Sequence, residues 1–456
     1  MEMREKIRTE VFVLGGGLSG IAAAVGAARC GVSVAMAERS SVLGGTATQA
    51  LVNPWQTFHS PEGRVIGGIA QELTCRLMAR GATPGHIPDP VGFVNSVTPV
   101  DPDALKLLLA EIVAEEKIAL LLGHRFREVR ASGGRISGVV LEDDFNRPVL
   151  VEAETYIDAS GNGDLTAAAG CDMEIDAGAQ PMTLIFVLGG VDFDAVESYQ
   201  ESHPDEFYMS PDTKAVHNGY IGVSGFFRHV REAREQGRLD VPRDRVLFFG
   251  NNRPGQVVVN TTRVTGYHGI YGREVSRAMQ EGLAQVLNLF EFMRSDLPGF
   301  ANAEMVRIAD HIGVRETRRL LGRYVMNERD ILSNQNFDDA VAKGAYPLDI
   351  HSSDDDSLST EIIGGKGHYD IPLRSLLNNS VENLVTVGKC ISVTHVGFSS
   401  TRVMPTCMAV GQAGGVAAAY SVIKKRDPEE LSAEIRDRLR DRGAIILDQD
   451  VARESL

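Results

Sequence analysis

Residues 10–38 spell out one supersecondary unit, and no other stretch restricts the fold as much. Val11-Phe12-Val13-Leu14 is short and wholly apolar, the pattern of a parallel strand covered on both faces. Gly15, Gly17 and Gly20 then complete G-x-G-x-x-G. The small apolar run 21–29 predicts a helix closed by Gly31, and 32–37 predicts a second strand ending at Glu38. Each glycine has a physical task in such a unit. Gly15 permits the tight turn, Gly17 lets a pyrophosphate approach the backbone, and Gly20 lets the helix lie close to the strand. The N–H groups of Leu18 and Ser19 at the helix start face the phosphates. Glu38 accepts hydrogen bonds from a ribose diol. Strand, helix, second strand and acid together predict a dinucleotide site rather than a glycine-rich packing turn.

Several other classes are excluded early. A chain of 456 residues has room for two or three domains, and 43% hydrophobic with 23% charged residues is a globular balance. The formal charge of −15 gives no general attraction to nucleic acid or anionic lipid, so neither is expected as a partner. Cysteines stand at 30, 75, 171, 390 and 407 without a C-x-x-C pair. That argues against a disulfide framework, a zinc ribbon, an iron–sulfur cluster and a dithiol centre. A reducing, cytoplasmic setting is expected. The apolar stretch 12–28 reads as buried strand, turn and helix rather than a signal peptide or membrane span. H-E-x-x-H, G-x-S-x-G and spaced His/Cys clusters do not occur, and Asp354-Asp355-Asp356 reads as solvated loop, so no metal is expected. A second G-x-G-x-x-G is also missing, unlike an NAD(P)H-linked disulfide reductase.

Arg39 follows Glu38, and Gly44-Gly45-Thr46 follows shortly after. A second glycine pair there suits a flavin dinucleotide, whose pyrophosphate and ribityl chain run past this loop. With these motifs the chain resembles the FAD-dependent oxidoreductases of the glutathione-reductase-like fold. Within them it is most similar to the group related to heterodisulfide-reductase flavoprotein subunits and, more distantly, to fumarate reductase and succinate dehydrogenase flavoproteins. The cysteine-bound clusters of the former do not carry over. The resemblance implies an α/β protein: a Rossmann-like FAD-binding domain with an inserted α+β substrate or cap domain. The boundaries read as 1–180 and 346–425 for the FAD domain, 181–345 for the insertion, and 426–456 for a charged helix and tail.

Motifs along the chain carry that resemblance. A helix is expected over 103–116, meander strands over 119–129 and 136–142, and a strand over 149–158. The last ends in Asp158-Ala159-Ser160-Gly161, which looks like the family's A-T-G turn with Ser replacing Thr. Phe126 falls where the family packs an apolar side chain on adenine. Strands are expected over 183–189, 246–249 and 257–260, a helix over 273–294, and irregular chain over 192–244. Gly313-Val314-Arg315-Glu316-Thr317-Arg318-Arg319 matches a family signature. Read as a strand, it puts Arg315, Thr317 and Arg319 on one face and Glu316 and Arg318 on the other. Either structural ion pairing or bidentate capture of a substrate carboxylate suits these arginines. Gly388 and Lys389 look like the turn after the last cofactor-contacting strand. Pro405, Thr406, Cys407 and Met408 open an apolar helix whose N-terminus suits the flavin pyrimidine.

The resemblance implies a non-covalent FAD that performs hydride transfer with a small organic substrate. O₂, a quinone or a carrier protein completes the electron path, and a homo-oligomer is left open. A flavin-dependent monooxygenase and an electron-transfer subunit of a larger complex are the alternatives. The candidate catalytic groups are His395 and Arg402, which flank the flavin-facing helix, then Arg315, then His59 beside Trp55 and Phe58.

Overall fold

The computed structural model describes residues 5–176, 180–208, 216–217, 219–351 and 358–453, without the side chains of 216, 217, 351, 358 and 359. The acidic triplet 354–356 lies outside the described residues.

The strand Glu5–Leu14 pairs in parallel with Val34–Glu38 on one side and with Pro148–Asp158 on the other. Helix Leu18–Ala28 joins the first two. Val11, Phe12 and Val13 are fully buried, because helices cover one face of the sheet and the meander side covers the other. That is why the run is apolar without alternation. The sheet runs Ala119–Leu122, Val34–Glu38, Glu5–Leu14, Pro148–Asp158, Arg135–Asp143, His124–Ser132, with Leu384–Thr386 beside the end of Pro148–Asp158. The single strand expected over 119–129 is two. Gly123 takes φ +67°, so the first half joins the parallel edge and the second opens the antiparallel meander.

Helix Met404–Lys424 packs directly on Leu18–Ala28. A Cβ on Gly411 would stand 2.2 Å from the Ser19 carbonyl oxygen, and one on Gly415 would stand 2.0 Å from that of Ala23. Two glycines four apart share one helix face, and here they let two backbones touch. By length and composition this helix is apolar enough to cross a membrane, but most of it is buried inside the fold. Its apolarity serves the core.

A second body has its own antiparallel sheet, ordered Val216–His217, Tyr220–Gly225, Val246–Gly250, Val257–Val259, Phe186–Gly189, Glu304–Ile308. Helix Gly272–Asp296 covers it, and Phe186, Val223, Phe248, Val286 and Phe300 share its core. The stretch expected to be irregular holds helices Phe193–Ser202 and Phe227–Glu235. Each contributes few buried residues, such as Val196, Val230 and Ala233, and the stretch is polar overall, so composition rather than periodicity dominates its reading. Within 313–319 only Arg318–Leu320 is strand, paired with Met173–Ile175. The preceding residues are irregular, and the expected alternation of faces does not hold. Met326, Ile331, Ala340 and Val341 already belong to the first core.

Candidate cofactor and active site

The glycine turn forms a backbone cradle. Gly15 takes φ +109°, and a Cβ there would stand 2.3 Å from the Ala159 carbonyl oxygen. Gly20 is closed in the same way, 1.9 Å from the Gly15 oxygen. Gly17 differs: a Cβ there would meet nothing nearer than Gly45 Cα at 4.0 Å. Gly44 N–H donates to the Gly16 carbonyl at 2.8 Å, which lays the second glycine pair across the first. Helix Leu18–Ala28 starts without a side-chain cap, so its first N–H groups are left for a ligand. Glu38 is buried, and its carboxylate accepts from Gly16 N–H at 2.7 Å and Ser40 N–H at 2.9 Å. Those bonds orient it at the cradle's edge. Ala159, Ser160 and Gly161 form the opposite wall, with Asp158 accepting from the Ser160 hydroxyl and N–H.

A cavity of about 520 Å³ opens between the two bodies. Thr46, Lys389, Val403 and Met404 line it from the first body, and Ile185, Leu247, Phe249 and Asn260 from the second. Arg243, Arg245, Arg315 and Arg402 also reach it. Arg245 pairs with neighbouring Asp244 at 2.8 Å. Arg402 Nη2 meets Asp349 Oδ2 at 3.2 Å, and that oxygen also accepts from the Tyr346 hydroxyl at 2.9 Å. Arg315 Nη1 donates to the Thr183 hydroxyl at 2.8 Å and to the Pro181 carbonyl. Arg243 Nε reaches the Thr261 carbonyl at 3.4 Å. Lys389 Nζ donates to the Val314 and Arg315 carbonyls at 2.7 and 3.2 Å.

The electrostatics are unusual for a protein interior. Burial, with Arg402 and Arg243 nearby, pushes the Arg315 guanidinium down to about 9. Burial beside Arg263 and Arg245 pushes Arg243 down to about 10. Burial, and then the Asp349 charge, drive the Tyr346 hydroxyl well above its usual value, so it stays protonated. Asp89, on the same wall, accepts from the Val91, Phe93 and Val94 N–H groups, while burial raises its carboxyl.

A family model described as FAD dependent oxidoreductase matches residues 10–442. The chain belongs to this family. No curated protein matches the sequence. Similar solved structures include a geranylgeranyl bacteriochlorophyll reductase-like protein from Thermoplasma acidophilum, at 12% identity and TM-score 0.48, over 96% of this chain and 85% of that one. They also include p-nitrophenol 4-monooxygenase from Pseudomonas putida, at 11% identity and TM-score 0.45, over 95% and 84%. L-proline dehydrogenase from P. horikoshii aligns at 11% identity and TM-score 0.44, over 94% and 99%.

This FAD-dependent oxidoreductase has the features that the cofactor requires. The open face over Gly17 leaves room for a pyrophosphate, and the uncapped helix start offers it N–H donors. Helix Met404–Lys424 also begins without a side-chain cap, and the fully buried Thr406 hydroxyl beside that start has no hydrogen-bond partner among the described residues. Pro405, Cys407 and Met408 are buried around it. Gly388 takes φ +75° against the Ser19 hydroxyl. Phe126 lies half-buried on the meander, paired opposite Leu141. Arg39 and Thr46 are exposed, Thr46 at the cavity mouth.

The four catalytic candidates divide. Arg315 and Arg402 line the cavity. His395 stands outside its lining, with Nδ1 2.9 Å from Glu316 Oε1 and 3.3 Å from Asp176 Oδ2. The Glu316 hydrogen bond raises its basicity, and fully buried Arg319 joins the same carboxylates. His59 is buried in the first body, with Nδ1 2.9 Å from the Ser96 hydroxyl and its ring edge-on to His86. Of the signature's arginines, Arg319 and Arg318 are ion-paired, Arg318 to Asp164 at 3.0 Å, while Arg315 faces the cavity. Arg243, Arg245, Tyr346 and Asp349 had no sequence signal. They sit in stretches with no motif, and nothing local separates them from surface residues.

Proposed function

We propose that the chain catalyses hydride transfer between a small organic substrate and FAD in the cavity between its two bodies. One observation carries this reading: a single cavity is walled on one side by segments that adjoin the cofactor cradle and on the other by the insertion's sheet. Bound FAD supplies the two-electron acceptor or donor. Ile185, Leu247 and Phe249 exclude water from the reacting carbon. Arg315 and Arg402 orient the substrate. Asp349 Oδ2, held by the Tyr346 hydroxyl and Arg402, takes or returns the proton that accompanies hydride transfer. O₂, a quinone or a carrier protein closes the cycle. A reducing, cytoplasmic setting accords with five free cysteines.

The test is to purify the protein, verify the flavin spectrum, and screen metabolites under anaerobic conditions for bleaching. A donor that bleaches the flavin in wild type but at least ~10²-fold more slowly in Asp349→Asn supports the reading. A flavin that no donor bleaches and no reduced product reoxidises sinks it.

A further inference from the structure

We infer that the substrate is a small organic anion, with a carboxylate held by Arg315 and Arg402 and a second anionic or acceptor group facing Arg243. This rests on the hydride-transfer reading above and adds the substrate class.

Positive charge at the cavity wall is incompletely compensated. Arg243, Arg245, Arg315, Lys389 and Arg402 bring five cations to the cavity wall, against Asp89, Asp244 and Asp349. Two of those carboxylates are ion-paired to other arginines, Asp244 to Arg245 and Asp349 to Arg402. Asp89 is turned to three backbone N–H groups of its own loop. Arg315 and Arg243 are left bonded to neutral oxygens alone, with no carboxylate within ion-pair distance among the described residues. Arg402 Nε is buried and has no hydrogen-bond partner among the described residues. Buried donors left open are costly, and mutually repelling guanidinium groups more so. One anion resting among them satisfies the donor and offsets the repulsion that, after burial, lowers the Arg315 and Arg243 guanidinium groups. A planar fork meeting a carboxylate also fixes orientation, which a neutral ligand would not exploit.

The experiment titrates the FAD-loaded protein with malonate, glutarate and benzoate, and with their amides, at constant ionic strength, reading the flavin spectrum and heat. The expected result is that at least one acid binds, its amide binding about 30-fold or more weakly. Arg315→Gln and Arg243→Gln, each checked for full flavin content, weaken that acid by about 30-fold or more, and Arg315→Lys recovers part of the loss. Acids and amides that bind equally, or a neutral donor that bleaches the flavin while no acid binds, overturn the inference and leave hydride transfer standing. Variants that keep full acid affinity but shift the flavin reduction potential also overturn it, because the arginines then serve the cofactor. A protein that no donor reduces fails the parent reading, and this inference falls with it.

Discussion

The cofactor cradle and the substrate cavity adjoin each other, yet they are built in opposite ways. The cradle at 15–20, 44–45 and 159–161 is made of backbone. Its recognition groups are N–H donors, and its side chains are mostly absent so that chain can approach chain. The cavity at 243–245, 315, 346–349 and 402 is made of long side chains that carry charge from four distant segments. A backbone site cannot be retuned without moving a strand. A side-chain site can change its ligand while the fold stays put. Rigidity therefore belongs to the cofactor half and specificity to the other.

The sharpest way to break that contrast is Gly17→Val. Gly17 has extended φ −68° and ψ 174°, and a Cβ there has space around it. The chain should fold as judged by circular dichroism, while FAD affinity falls by at least ~100-fold because the side chain occupies the phosphate's place. A normal flavin-to-protein ratio would move the pyrophosphate elsewhere. Next comes Gly411→Ala, which should cost about 2–3 kcal/mol in denaturant unfolding of the apo protein, since its Cβ would press on the Ser19 carbonyl. An unchanged midpoint would show that the two core helices separate easily, and that the cofactor half is soft.

Arg243→Gln probes the other half. It should raise KM for an anionic donor by about 30-fold or more, with flavin content unchanged and no loss of stability. A protein that unfolds or loses FAD would mean the cavity arginines hold the fold together. The smallest effect is expected at His395. Its folded pKa stands above its unfolded value because of Glu316, so the stability it adds is complete below about 6.5 and fades as pH rises through the folded pKa. His395→Gln should remove about 1 kcal/mol at pH 6 and flatten this part of the stability profile, with flavin reduction by substrate little changed. A large loss of turnover instead would place His395 in the chemistry.

The cradle was legible because local steric demands leave local traces. Gly15, Gly17, Gly20 and Glu38 hold fixed offsets within one βαβ unit. Elsewhere local signals misled. Gly123 read as an interior residue of one strand although its positive φ ends that strand. Arg315 and Arg319 read as neighbours on one face, but the chain is irregular until residue 318, and one guanidinium enters the cavity while the other is buried among carboxylates.

The sequence by itself determined the cofactor half, since a pyrophosphate's approach to bare backbone constrains residue identity at short, countable spacings. Only the tertiary structure decided which charges meet in the cavity. Arg243, Arg315, Asp349 and Arg402 are separated by tens of residues and follow no period. Their effect on one another depends on distance and on the low dielectric of a closed wall, and neither exists until the two bodies are folded together.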